Sequence, residues 1–326
     1  MPNLSVIVRT RNNNAIIEQS LAAIKNSYFT DYELIVVDDN SLDSTYSMIK
    51  RFTDNVIESK NENGRSGAYF KGVDHAKGEI IVNIDSDILV KPDALEIIYN
   101  YLSSHPGIDA ITGLLSKEHA NNNFFSQYKN LYMHYIFSKL PENVYFLYGG
   151  IHAIRRSAFL KADNSIEVAD DTALGQRLIS CGKKISFLKN LEVAHLKRYN
   201  IWSFIKNDFQ IPFDWAKIFL KYKGWRQLFR NKTGYAHAPK KQLISLVLVP
   251  AIIFSSAYSI FFKNSYLYPY IFVSAWIILN FNFLVFLTRE KGIAFGILSF
   301  FVTFFDNVIM IFSIISGFIA FYTEIE

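Results

Sequence analysis

Val82-Asn83-Ile84-Asp85-Ser86-Asp87 runs an apolar strand straight into two carboxylates one residue apart. Carboxylates at that spacing on a strand end can share a hard divalent cation and leave coordination positions for phosphate oxygens. The chemistry that suits is the handling of a diphosphate. Two other acidic pairs accompany it, Asp38-Asp39 and Asp170-Asp171. Asp39, at a strand end, can accept hydrogen bonds from the imide or amide edge of a pyrimidine. Asp38 and Asp43 suit an Asx-turn that caps the following helix. Asn63-Gly64, with Gly67 close behind, lets backbone approach a ligand closely, as a nucleotide-binding loop requires.

These residues need a frame. Leu4–Val8, Leu34–Val37 and Ile80–Ile84 are short, β-branched and continuously apolar, the pattern of strands covered on both faces of a parallel sheet. Helical patterns alternate with them over Ile16–Lys25, Ser44–Phe52, Gly67–Ala76 and Pro92–Ser103, and Asn55–Ile57 adds a further strand. The alternation predicts βαβ units with right-handed crossovers, hence a doubly wound, mainly parallel, Rossmann-like α/β sheet. Ligands gather at the carboxyl ends of such strands, where Asp38-Asp39 and Asp85-Ser86-Asp87 stand. Phe124–Lys139 reads as a helix, Tyr145–Ile154 as an apolar run holding Gly149-Gly150, and Asp171–Ser180 as a helix stopped by Gly182.

From Gln242 onward charges almost vanish, apart from Lys263, Arg289, Glu290, Lys291 and Asp306. The expected division is a domain over 1–200, a basic, aromatic juxtamembrane segment over 201–241, and an all-α transmembrane region over 242–326. Helices are expected at 242–262, 266–287 and 292–322, each long enough for a hydrocarbon core of about 30 Å. The last is longer than one crossing needs, so it is either a tilted helix or one broken near Gly317. Lys217, Lys221, Lys223, Arg226, Arg230, Lys232, Lys240 and Lys241 hold the segment before the first span on the cytoplasmic side. The expected location is therefore the inner cell membrane, multi-pass, with the first domain cytoplasmic. No basic and apolar leader precedes the first strand. The single Cys181 excludes a disulfide within the chain. The net charge of +5 lies mostly beside the membrane, where anionic lipid explains it, and no motif argues for nucleic acid.

Five segments, in this order, resemble the family 2 glycosyltransferases of GT-A fold. They are Leu4–Asn12 (LSVIVRTRN), Val36–Thr45 (VVDDNSLDST), Asn61–Gly64 (NENG), Asp85–Asp87 (DSD) and Asp170–Gly175 (DDTALG). The resemblance covers roughly residues 3–200 and implies an inverting, metal-dependent transfer from a nucleotide-activated sugar. It implies nucleotide contacts from Arg9, Thr10, Asn12, Asp39, Asn63, Gly64, Asp85 and Ser86, although the family more often has proline at the Arg9 position. Asp87 is implied as direct ligand of Mg2+ or Mn2+, with Asp85 on the ribose or on the metal through water. Asp171 matches the position of the general base, and Asp170 stands where glutamate is usual. Both acids would also stabilise a helix N-terminus. Gly149 and Gly150 fit a compact backbone position near sugar and acceptor, and His195, Lys197 and Arg198 lie in the diphosphate or acceptor vicinity.

The expected reaction moves a single sugar from a UDP- or GDP-sugar to a lipid-linked acceptor, a polyprenyl phosphate or a polyprenyl-diphosphate saccharide, in cell-surface polysaccharide or glycoconjugate synthesis. The Gln-x-x-Arg-Trp signature of processive synthases is absent. The alternative is a catalytically silent nucleotide-sugar-binding scaffold of a polysaccharide export complex.

Overall fold

The computed structural model describes residues 1–59, 64–162, 171–230, 235, 237–262 and 266–323. It divides the chain into two compact units, one of residues 1–121 and 137–197, the other of 122–136 and 198–326.

The first unit opens with β1 (Leu4–Thr10), α1 (Ile17–Lys25), β2 (Tyr32–Asp38), α2 (Thr45–Ile49), β3 (Val56–Glu58), α3 (Gly64–His75) and β4 (Ile80–Asp85). These strands pair in parallel in the order β3-β2-β1-β4. Their continuous apolar runs are buried on both sheet faces: Val6, Val8, Val36, Val82 and Ile84 on one face, and Ile7, Ile35, Val37 and Ile81 on the other, are all inaccessible to solvent. The doubly wound α/β sheet expected from the alternation is present.

Beyond β4 the sheet becomes mixed. The chain continues through β5 (Ile88–Val90), α4 (Ala94–Ser104), β6 (Ala110–Leu115), α5 (Phe124–Phe137), β7 (Asn143–Val144), β8 (Ile151–Arg155), α6 (Arg156–Ala162), α7 (Asp171–Ser180) and β9 (Ile185–His195). Most of α5 falls in the second unit. β8 runs antiparallel between β4 and β6, and β9 follows β6 in parallel before reaching antiparallel β5. The register of β6 on β9 shifts at Gly113/Leu114. A Cβ on Gly113 would lie 2.4 Å from the Leu191 carbonyl oxygen, so only glycine allows the strands to approach there.

The second unit adds α8 (Ile201–Lys221), α9 (Trp225–Arg230), α10 (Lys240–Phe261), α11 (Leu267–Lys291) and α12 (Ile293–Thr323) to the body of α5. Asn200 starts α8 with a reciprocal capping box to Ser203. Helices α10, α11 and α12 are each long and apolar enough to cross a membrane. α12 is one unbroken helix of 31 residues, about 46 Å, so the break considered at Gly317 does not occur. That glycine serves packing: a Cβ there would lie 2.5 Å from the Phe213 carbonyl oxygen and 2.9 Å from Ala216 Cβ, letting α8 close on α12. Lys129 of α5 pairs with the fully buried Asp208 of α8 inside this unit.

Candidate active site

The parallel ladder fixes which side chains meet. Arg9 stands in register with Val37 on one side and Asp85 on the other, and Thr10 with Asp38. The ends of β1, β2 and β4 are therefore level. The strands leading to Asp39 and Asp85 lie two strand spacings apart, roughly 10 Å.

Asp39 is 6 % exposed, and its Oδ1 finds no hydrogen-bond partner among the described residues; the same holds for the buried Thr10 Oγ1. Buried polar oxygens are ordinarily bonded, so these two unmatched ones are sites where a ligand would supply donors. The Asp39 N–H donates to the Thr10 carbonyl oxygen at 2.9 Å, which holds the two residues together. Asp38 and Asp43 have local occupations instead. Asp38 receives the Ser41 N–H at 3.3 Å and the Ser41 hydroxyl, and Asp43 receives the Thr45 N–H at 3.0 Å. Asn12 adopts a positive φ of 48° and accepts the Leu42 N–H at 2.8 Å, tying the β1 loop to the β2 loop. Ser86 is gripped by Asn13, whose Nδ2 reaches its hydroxyl at 3.0 Å and its carbonyl at 3.1 Å.

Asp85 divides its oxygens. Oδ1 meets the Arg9 guanidinium at 3.2 Å, and Arg9 lies over the Tyr69 ring, 5.3 Å from its centroid. Burial pushes the Asp85 carboxyl up, Arg9 opposes that, and the nearby Asp87 charge adds to it. Asp87 has a different partner. The antiparallel pairing of Ile88 with His195 brings Nε2 of that histidine to 3.4 Å from Asp87 Oδ2. Burial works against the Asp87 charge, but His195 and Lys197 outweigh it and hold the carboxyl below its ordinary range.

Gly149 joins the two halves of the site. A Cβ built on it would stand 2.7 Å from Asp171 Oδ2 and 3.3 Å from Asp85 Oδ2. Those oxygens are thus no further apart than the two contacts laid end to end. The other Asp171 oxygen, Oδ1, accepts the Thr172 N–H at 2.8 Å at the start of α7. One carboxylate therefore satisfies a helix N–H with one oxygen and faces Gly149 with the other. Gly150 passes close over the Tyr148 ring and accepts the Asp85 N–H at 3.3 Å.

Arg9, Thr10, Asp39, Asp85, Asp87, Gly149, Gly150, Asp171, His195 and Lys197 are gathered at one end of the sheet or on the elements bordering it. Gly64 begins α3. Asn63 and Asp170 lie outside the described residues, and Arg198 is an exposed residue of the second unit. Sequence reasoning missed Asn13, Tyr69, Asn83, Thr112, Tyr148 and His152. None belongs to a chemical motif; only a polar residue inside an apolar strand run, as at Asn83, could have drawn notice.

The donor set suits a small hard cation. Among the described residues no cluster of three or more potential ligands exists. Asp87 and Asp85 offer carboxylates only, the arrangement in which magnesium or manganese completes its shell with phosphate and water. His195 is turned to Asp87 as a hydrogen-bond partner.

Residues 5–162 match the family described as Glycosyl transferase family 2. Among curated relatives, the GalNAc(5)-diNAcBac-PP-undecaprenol beta-1,3-glucosyltransferase of Campylobacter jejuni is 39% identical over 93 residues, 27% of this chain and 30% of that protein. The poly(ribitol-phosphate) beta-N-acetylglucosaminyltransferase TarP of Staphylococcus aureus is 35% identical over 108 residues, 31% of this chain and 33% of that one. A dolichol-phosphate mannosyltransferase of Pyrococcus furiosus is 31% identical over 97 residues, 28% of either chain. The chain spans about a third of the length of these relatives. In fold it is similar to a mannosyltransferase from Pyrobaculum calidifontis solved with GDP-Man and Mn2+. That likeness has a TM-score of 0.60 and 17% identity, and covers 100% of this chain and 88% of the other. With its ordered motifs and GT-A-like sheet, the chain carries a glycosyl transferase family 2 domain over residues 5–162.

Proposed function

We propose that this chain is an inverting glycosyltransferase that moves one sugar from a UDP- or GDP-sugar to a lipid-linked acceptor, a polyprenyl phosphate or a polyprenyl-diphosphate saccharide. The observation that carries the reading is Gly149, whose missing side chain leaves Asp171 and Asp85 facing each other across one narrow space. Asp39 and Thr10, with unmatched oxygens, would take the base, and Asp85 the ribose or a metal-bound water. Asp87, charged and fixed by His195, would hold Mg2+ or Mn2+ against the diphosphate. Such a cation, when bound, stabilises the charge that develops on the departing nucleoside diphosphate.

The acceptor oxygen attacks the anomeric carbon from the side opposite the diphosphate. Its proton passes to Asp171 Oδ2 as the new bond forms, and the bond to the diphosphate breaks with its electron pair on the departing phosphate. The names of two relatives mention undecaprenol and dolichol carriers, and three helices fit a membrane, which supports a lipid-borne acceptor. By the positive-inside rule the crevice faces the cytoplasm.

The test is incubation of the purified protein in detergent with membrane lipid extract, Mn2+ and a panel of nucleotide sugars, followed by mass spectrometry. One lipid should gain one hexose or N-acetylhexosamine mass, and Asp87→Ala should reduce that product at least a hundredfold. Full product from Asp87→Ala would exclude the proposed metal chemistry.

A further inference from the structure

Three polar residues lie in a row across three neighbouring strands. Asn83 of β4 is the register partner of His152 of β8, and His152 is the register partner of Thr112 of β6. Residues in register share a sheet face, and all three are buried, none more than 2 % exposed. Polar side chains in the dry middle of a sheet are unfavourable unless their hydrogen bonds are used. Here each places a hydrogen bond on the same short turn, while Asn83 Oδ1 and His152 Nε2 find no partner among the described residues. The Thr112 hydroxyl accepts the Tyr148 N–H at 2.9 Å and donates to the Ile151 carbonyl at 3.0 Å. His152 Nδ1 lies 3.0 Å from the Tyr148 carbonyl oxygen, and Asn83 Nδ2 donates to the Gly149 carbonyl oxygen at 2.7 Å. A carbonyl only accepts, so Nδ1 carries the proton.

We infer that Asn83, His152 and Thr112 form a positioning row that fixes the Tyr148–Ile151 turn and so sets Gly149 between Asp85 and Asp171. The inference rests on the catalytic reading above. It goes further by making the separation of the donor-side and acceptor-side carboxylates a property of residues that touch neither substrate. Because Nδ1 makes the contact, asparagine, whose amide nitrogen falls where Nδ1 lies, should replace His152, whereas glutamine, whose nitrogen falls where Nε2 lies, should not.

The experiment compares His152→Gln, His152→Asn and Thr112→Val in the full chain. In His152→Gln and Thr112→Val, hydrogen exchange of a peptide covering 145–151 should quicken at least tenfold and kcat for transfer should fall at least tenfold. Binding of UDP or GDP with Mn2+ should stay within about twofold, which also reports that the variants are folded. His152→Asn should remain within threefold of the wild type on every count. Unchanged exchange in both disruptive variants, or nucleotide affinity falling in step with kcat, overturns the positioning row. Wild-type protein that transfers no sugar from any donor would count instead against the glycosyltransferase reading, because the exchange result stands without turnover.

Discussion

Asp171 carries two tasks on separate oxygens, one closing the N-terminus of α7 and one facing Gly149. Asparagine keeps the cap and loses the base. A sugar hydroxyl must shed its proton during attack, whereas a phosphate monoester is largely ionised already, with a second pKa of about 6. Asp171→Asn should therefore lower transfer to a hydroxyl by roughly 10²–10⁴ and transfer to a phosphate by less than tenfold. Equal losses on the two acceptors, in parallel kcat measurements, would contradict this division. A second effect of single residues is thermodynamic. Burial pushes His152 down to about 4, from 6.5 in an unfolded chain. Between those values the unfolded state holds the extra proton, so stability falls as pH drops from 6.5 to 4 and changes no further from this group outside that window. The loss amounts to about 3 kcal/mol at most. His237, packed on the Trp215 ring, is shifted in the same sense by burial and by Lys129, so the quantity to read is a difference. Thermal melts of wild type and His152→Asn should diverge as pH falls through that window, with the variant less sensitive.

At the scale of elements, what the sequence made legible was whatever a strand's own chemistry dictates. The apolar runs of β1, β2 and β4 gave the parallel half, and Asp38, Asp39, Asp85, Asp87 and Asp171 stand at or just beyond a strand end or helix start. Long-range pairing was not legible. Ile88–Val90 is apolar but, at three residues, too short to announce a strand, and it is this strand that brings His195 to Asp87. The row of Asn83, His152 and Thr112 exists only through the antiparallel insertion of β8, which periodicity alone does not foretell. The last motif also hides a packing role. Gly175 in α7 lies where a Cβ would be 2.8 Å from the Leu147 nitrogen and the Phe146 Cα. Backbone cannot yield as a flexible side chain can, so Gly175→Ala must displace α7, and Asp171 with it. The expected result is a destabilisation of about 1–3 kcal/mol by denaturant titration, together with a fall in kcat at least as large as that of the conservative Asp171→Glu. Unaltered stability and turnover would mean that the helix is not held by this contact.

For the whole molecule, function depends on which side of the membrane each segment occupies. Lys240 and Lys241 stand at the first end of α10, and Arg289 and Lys291 at the last turn of α11. Positive residues flanking spans are retained on the cytoplasmic side, so both places should be cytoplasmic and both opposite ends external. α12, at about 46 Å, exceeds a hydrocarbon core of about 30 Å, so crossing one would require it to tilt or extend beyond it. Cys181, the single cysteine of the chain, is exposed and offers a native reporter for the first unit. In a Cys181→Ser background, single cysteines at the exposed Tyr266, Ile293 and Tyr322 report the three span ends. A membrane-impermeant maleimide added to intact cells should label Tyr266→Cys and Tyr322→Cys. Ile293→Cys, and Cys181 in the otherwise native chain, should react only after permeabilisation. Labelling of Cys181 from outside would place the acidic crevice where nucleotide sugars made in the cytosol do not reach it, and the proposed donor chemistry would fail at the level of topology even with every side chain correctly set.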